Sequence, residues 1–395
     1  MSCTTLAPAS TIYRPAAIRI RTRPPRVSSI PNEILSDIFD YLPHANLTRI
    51  ACVNSRWRAV AERLLYTSVV VSEVLPRTSA SPFKNMVVSP AVPATTLRCC
   101  ETLSMYPHLA EVVRRFHIRW QTDSVESPAF LLIIAKNIVR TLIPTFLSLE
   151  SLELSFGLAE YFPVLPPRSF YPSFHLPSLR FLSLHGISES PELVLRNHPD
   201  LLHFKLGDFI KPLSLRPNDV PYLSSFRGYP VTAASIVPGR PVQGLSLVGY
   251  EFVTEDDLYR IASTSTPIRT LDLSGMSVTP TLLRDISRHL SHVEVLKVRL
   301  ALRHTLHFAL SGIRLLTALT TVLGKFHNLR RLDLSPTATV TGAAGSSDPE
   351  EELALCVAWV GACVSLRRII FPSRTEWTLT EGGIWISESP GCTSR

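Results

Sequence analysis

The sequence predicts an α/β chain: a small three-helix module near the N-terminus, then an irregular solenoid built as a curved parallel sheet with outer helices. Three observations predict it. The stretch "IPNEILSDIFDYLP" (30–43) opens a run of three short helical segments. From residue 147 a pattern of apolar residues, L-x-x-L-x-L or a close variant, returns again and again. Between these returns lie helix-like stretches, and strand alternating with helix is the pattern of stacked α/β units.

Length and composition set the outer bounds. At 395 residues, 45% hydrophobic and 18% charged, the chain describes an ordered globular protein with more than one structural unit. The net charge of +8 is concentrated, because residues 1–32 carry Arg14, Arg19, Arg21, Arg23 and Arg26 and no acid. Residues 1–27 are expected to be a disordered basic tail, with a targeting peptide as the alternative. No nucleic-acid-reading motif accompanies the charge, so nucleic acid is not an expected partner. Seven cysteines, an odd number with no C-x-x-C pair, argue against a disulfide framework or a zinc site and for a reducing compartment. No apolar run is long enough to span a membrane; "AFLLIIAKNIV" from Ala129 is broken by Lys136 and reads as a buried helix.

Taking the elements in order, the first helix has Pro31 near its start, where a missing N–H costs nothing, and Pro43 to close it. At 100° per residue, Ile34, Leu35, Ile38, Phe39 and Leu42 span an arc of about 140°. "HANLTRIACV" supplies a second segment, and "NSRWRAVAERLLY", with Asn54 as N-cap, a third. "YTSVVVSEV" then reads as a strand. Residues 76–96 are a loop rich in Pro, Ser and Thr, and residues 68–146 as a whole form a linker with the first strand and helix units.

Nine segments follow over 147–373. Aligned on one apolar position they place residues 152, 182, 204, 226, 245, 271, 296, 332 and 369 in correspondence. Alternate strand residues share a face, so the two apolar residues of L-x-L enter one core while their neighbours face away from it. Thr254 and Asp257 are spaced as a capping box, and Asp348 precedes Pro349 and three glutamates as another helix start. Residues 302–325 read as an inserted long helix or helical pair, 335–350 as a loop, and 374–395 as a C-terminal tail.

These segments resemble leucine-rich repeats. They depart from that family three positions past L-x-L, where Asn or Cys is expected and Ile187, Phe209, Tyr250, Met276 and Thr337 stand instead. Without that side chain on the turn backbone, irregular turns are expected. Residues 28–67 resemble the F-box through Ile30–Pro31, Glu33–Ile34–Leu35, Ile38–Phe39, Leu42, Leu47, Cys52–Val53, Arg56–Trp57 and Leu65–Tyr66. The family pairing of F-box and leucine-rich repeats implies a substrate-recognition subunit of a cullin-based (SCF-type) ubiquitin ligase. Its partners would be the Skp adaptor, the cullin scaffold and an unknown protein substrate, in the cytoplasm or nucleus.

The resemblance assigns adaptor binding to Ile30, Pro31, Ile34, Leu35, Ile38, Phe39, Leu42 and Trp57. A module this small cannot bury so broad an apolar face alone, and charge at Leu35 and Phe39 is expected to cost binding more than folding. The residues expected to face a substrate are His203, Lys205, Arg227, Lys297, Arg299, Arg331 and Arg368, a somewhat basic set that suggests an acidic partner. No nucleotide-binding, nucleophile-elbow or zinc-protease motif occurs. The histidine pairs 289/292 and 304/307 lack further ligands nearby, so neither an enzyme nor a cofactor is expected. An interaction scaffold using the F-box outside a ligase is the alternative.

Overall fold

A computed structural model describes residues 30–75, 92–122, 128–158, 175–186, 189–250, 252–300, 314–337 and 349–388. Contacts divide the chain into two compact units, Met1–Leu65 and Tyr66–Arg395. The expected basic tail, most of the 76–96 loop, Ile187, Asp348, and residues 302–313 and 338–348 lie outside the described residues.

In the first unit α1 (Asn32–Asp40), α2 (His44–Ile50) and the start of α3 (Ser55–Thr67) enclose a small core of Leu35, Phe39, Leu47, Val60 and Ala61. The Asn54 side chain caps α3 by accepting from the Trp57 N–H at 2.8 Å, which satisfies one of the helix's orphan donors. Arg56, at the first turn of α3, donates to Asn32 Oδ1 at 2.7 Å and to the Ile30 carbonyl. It thereby ties the third helix to the start of the first.

The second unit is built on one 13-stranded open sheet whose strands follow chain order. The strands are β1 (Ser68–Leu75), β2 (Arg115–Thr122), β3 (Ser151–Ser155), β4 (Phe181–His185), β5 (His203–Leu206), β6 (Ser225–Gly228) and β7 (Gly244–Val248). They continue as β8 (Thr270–Val278), β9 (Val295–Leu300), β10 (Arg331–Asp333), β11 (Arg368–Ile370), β12 (Glu376–Leu379) and β13 (Trp385–Glu388). Pairing is parallel from β1 to β11 and antiparallel for the last two strands. The connections carry α4 (Ala94–Met105), α5 (Pro107–Val112), α6 (Pro128–Asn137), α7 (Glu192–Asn197), α8 (Pro230–Ile236), α9 (Glu255–Ala262), α10 (Pro280–His289), α11 (Thr320–Leu323) and α12 (Pro349–Ala362).

The nine positions aligned from sequence are successive partners in this ladder. Leu152, Leu182, Phe204, Phe226, Leu245, Leu271, Leu296, Leu332 and Ile369 stand side by side, strand to strand. All nine are buried, in one core with helix residues such as Leu195, Ile236, Leu258 and Ile286. Helices therefore cover one face of the sheet. The alternate residues, among them Ser151, Glu153, Lys205, Arg227 and Lys297, line the other, open face, half-buried except for the exposed Lys205.

The ladder is not uniform. The ladder shifts register between β7 and β8 and again between β8 and β9. Three positions past L-x-L, Phe209, Met276 and Thr337 are buried, while Tyr250 is 95% exposed. The Thr337 hydroxyl accepts from the Leu300 N–H at 3.1 Å. At the end of β4, Gly186 has φ +80° and an added Cβ would lie 2.1 Å from the Gly157 nitrogen, so only glycine fits. The capping box at Thr254 and Asp257 is present in full.

Two expectations are corrected. Residues 374–388 are not a tail: β12 and β13 form a hairpin on the edge of β11, turned by Gly382–Gly383, with Gly383 at φ +77°. The buried carboxylate of Glu352 on α12 accepts from Trp377 Nε1 at 2.8 Å and from the Ser373 hydroxyl at 2.7 Å, pinning the hairpin. Between β9 and β10, the described residues 314–323 form a 3-10 turn and the short α11, not a single long helix; the rest of the expected helix or helical pair lies outside the described residues.

Candidate functional site

On α1 the sequence spacing produces two stripes, not one face. Leu35 and Phe39, with Leu42 beside them, turn inward at 2% and 3% exposure for the first two. Ile34 and Ile38 are each 48% exposed, and Tyr41 is 90% exposed. On a 100° wheel the stripe 34/38/41 sits about 100° from the stripe 35/39/42. Of the eight residues assigned to adaptor binding, Pro31, Ile34 and Ile38 are exposed, while Ile30, Leu42 and Trp57 are half-buried against the core. The expectation for Leu35 and Phe39 is therefore corrected. They are the centre of a five-residue core, so charge there removes the fold before it can test binding. Tyr41 was missed; its spacing of three from Ile38 and seven from Ile34 is the signal that finds it.

An apolar stripe on the first helix of a three-helix module, held by Arg56 and a Trp57 edge-to-face with Phe39, is a ready interaction surface. Residues 27–72 match the family model described as F-box-like. The F-box-like domain so defined covers all three helices and the start of β1, and such a domain suggests a role in binding the adaptor of an SCF ligase. Comparison of the chain with curated proteins finds no match.

The second surface is the open face of the sheet. Every residue expected to face a substrate lies on it: His203 and Lys205 on β5, Arg227 on β6, Lys297 and Arg299 on β9, Arg331 on β10 and Arg368 on β11. Their charges are less free than the sequence suggests. Arg227 lies 3.7 Å from Asp272 across Ser246, Lys297 lies 3.9 Å from Asp333, and Arg368 pairs with Glu376. Same-face neighbours on adjacent strands stand close enough to pair, so carboxylates far away in sequence neutralise much of the basic set.

Towards the N-terminal end of the sheet, Phe181 on β4 lies between His117 and His203, with ring centroids 6.4 Å and 6.5 Å away. Lys205 Nζ stands 5.1 Å from the Phe181 centroid, a cation–π distance. Glu153 binds Arg119 at 2.5 Å and approaches His117 Nδ1 at 3.7 Å. Burial pushes the Glu153 carboxyl up, but the Arg119 hydrogen bond and charge outweigh it and leave the group below the usual carboxylate range. Burial, helped by Arg115, Arg119 and Lys205, holds His117 below its ordinary value against the pull of Glu153.

His117 Nε2 also lies 3.0 Å from Ser151 Oγ, so serine, imidazole and carboxylate stand in a row. The backbone of β2, β3 and β4 is paired in the parallel ladder at these positions, which leaves no strand N–H pair to hold an oxyanion. What this group can do is present a fixed aromatic, imidazoles and cations to a macromolecular surface. Among the described residues no cluster of three metal-ligating side chains forms, and no helix is long and apolar enough to cross a membrane.

Proposed function

We propose that this chain is the substrate-recognition subunit of a cullin-based, SCF-type ubiquitin ligase. The F-box-like domain docks on the Skp adaptor through Pro31, Ile34, Ile38 and Tyr41, with Ile30, Leu42 and Trp57 at the edge of the contact. The sheet of the second unit is an irregular leucine-rich-repeat solenoid, and its open face receives a protein substrate. The chain performs no bond chemistry. It acts by proximity, raising the effective concentration of the substrate at the ubiquitin-charged enzyme. Its place of action is the cytoplasm, the nucleus or both.

The observation that carries this reading is the exposed stripe Ile34, Ile38 and Tyr41 inside the segment matched to the F-box-like family. Three large side chains left in water along one short helix and its C-cap are better explained by a partner than by packing within their own unit. Affinity capture of the full chain, with and without proteasome inhibition, tests the reading. The Skp adaptor and a cullin should co-purify, and at least one further protein should be enriched only under inhibition and accumulate when the chain is depleted. Capture of the adaptor without any cullin would leave the scaffold reading in its place.

A further inference from the structure

Beside Asp272 of β8, which pairs with Arg227 and stands opposite Lys297, and Glu388 of β13, whose charge reaches Arg368, the open face at β9–β11 gathers Lys297, Arg299, Arg331 and Arg368 around two carboxylates, Asp333 and Glu376. Both carboxylates are already engaged. Asp333, 7% exposed, accepts from the Ser335 N–H at 3.0 Å and its hydroxyl at 2.6 Å through Oδ1, and meets Lys297 through Oδ2. Glu376 pairs with Arg368. Among the described residues, no carboxylate lies at ion-pair distance from Arg299 or Arg331. The Nε atoms of Arg299 and Arg368 are buried and, among the described residues, meet no hydrogen-bond acceptor. A buried guanidinium N–H without an acceptor is costly, and such donors in native proteins normally meet a ligand, ion or water.

We infer that this patch binds an extended acidic segment of a protein, whose Asp or Glu carboxylates meet Arg299 and Arg331 separately. The inference rests on the reading of the open face as a protein-binding surface. Spacing argues for carboxylates on an extended chain. Arg331 pairs in register with Val295, so Arg299 lies four residues further along β9 and one strand across. That is ~13 Å along the strand and ~4.8 Å across. Such a backbone offset suits two separate anionic groups, and a dianion placed between the two arginines meets the charge of Asp333. Carboxylates four residues apart on an extended peptide share a face and match the spacing.

The probe is a fluorescent Gly/Ser peptide with Asp at every fourth position, titrated with the full chain and followed by anisotropy. Parallel arms carry Asn in place of Asp, or a single phosphoserine, and a further arm adds inorganic phosphate as competitor. The Asp peptide should bind, weaken as salt rises, and lose about tenfold in affinity on Arg299→Gln with Arg331→Gln. The charge-keeping pair Arg299→Lys with Arg331→Lys should recover part of that affinity, because it keeps the charge and loses the guanidinium N–H donors, and the control Arg98→Gln with Arg284→Gln on α4 and α10 should bind as wild type does. Unchanged binding by the Gln pair, an equal loss in the control, or preference for phosphoserine or inorganic phosphate would overturn the inference. Skp-adaptor capture by the same preparations separates the two claims: adaptor binding kept while the Asp peptide fails sinks this inference alone.

Discussion

Phe39 and Trp57 meet edge to face, with centroids 5.6 Å apart and planes at 74°. This contact joins α1 to α3 in a core of five buried residues. Phe39→Ala should cost about 3–5 kcal/mol, as other buried aromatic truncations do. That is more than a module of this size holds in reserve. Hydrogen exchange should show residues 32–65 unprotected in this variant while the strands of the second unit keep wild-type protection. Protection of α1 unchanged from wild type would contradict the packing.

Arg56 joins the same two helices by charge-assisted hydrogen bonds to Asn32 and the Ile30 carbonyl. Arg56→Ala should destabilise the module by about 2 kcal/mol, the usual worth of hydrogen bonds to a charged donor. Arg56→Lys should recover only part of this, because an ammonium cannot reproduce the fork of a guanidinium. Urea titration monitored by Trp57 fluorescence, with the other tryptophans replaced by phenylalanine, reads both effects.

The two stripes of α1 illustrate what was legible in the sequence. The apolar arc was visible from spacing, but which half faces inward depends on where α2 and α3 lie. Periodicity along one helix carries no such information. The same limit applies to the sheet. Nine in-register positions could be aligned because each repeats the same buried environment. The pairing of Arg227 with Asp272, two strands away, runs straight across the ladder through Ser246, and no single repeat encodes which residues meet there. The C-terminal hairpin was readable in principle: apolar Trp377 and Leu379 at alternate positions, then Gly382–Gly383, then the buried Trp385 carry the strand pattern and the turn. It was missed because its strands are antiparallel and break the parallel repeat pattern.

Glu352 is 1% exposed and supplies the acceptors for Trp377 and Ser373. Glu352→Ala would leave a buried indole N–H without a partner, at a cost of about 1–3 kcal/mol. The loss should be local. Amide exchange in β12 and β13 should accelerate well before that in β3–β9, and uniform acceleration across the sheet would argue against the pin.

His198 is 2% exposed, close to the Val194 carbonyl at 2.6 Å through Nδ1 and accepting from the Leu176 N–H at 3.0 Å through Nε2. Burial pushes it below its ordinary value of 6.5, against the Val194 hydrogen bond, and the nearby His175 adds to the depression. The unfolded chain thus binds a proton more readily than the folded one. The stability this neutral histidine contributes is fully present above pH 6.5 and declines as pH falls from there towards the depressed folded value. Melting curves at pH 7.5 and 5.5 should show the second unit weakened at the lower pH, and His198→Gln should narrow that difference.

The central claim is that Ile34, Ile38 and Tyr41 form the adaptor contact while Leu35 and Phe39 hold the fold. The direct measurement is Skp-adaptor affinity by isothermal titration for wild type and for Ile34→Asp with Ile38→Asp, each checked for helix content and cooperative melting. Both substituted side chains are half exposed, so the variant should fold as wild type does and bind the adaptor at least a hundredfold more weakly, about 3 kcal/mol. A folded variant that binds as tightly as wild type, or a wild-type chain that shows no adaptor binding, would contradict the account.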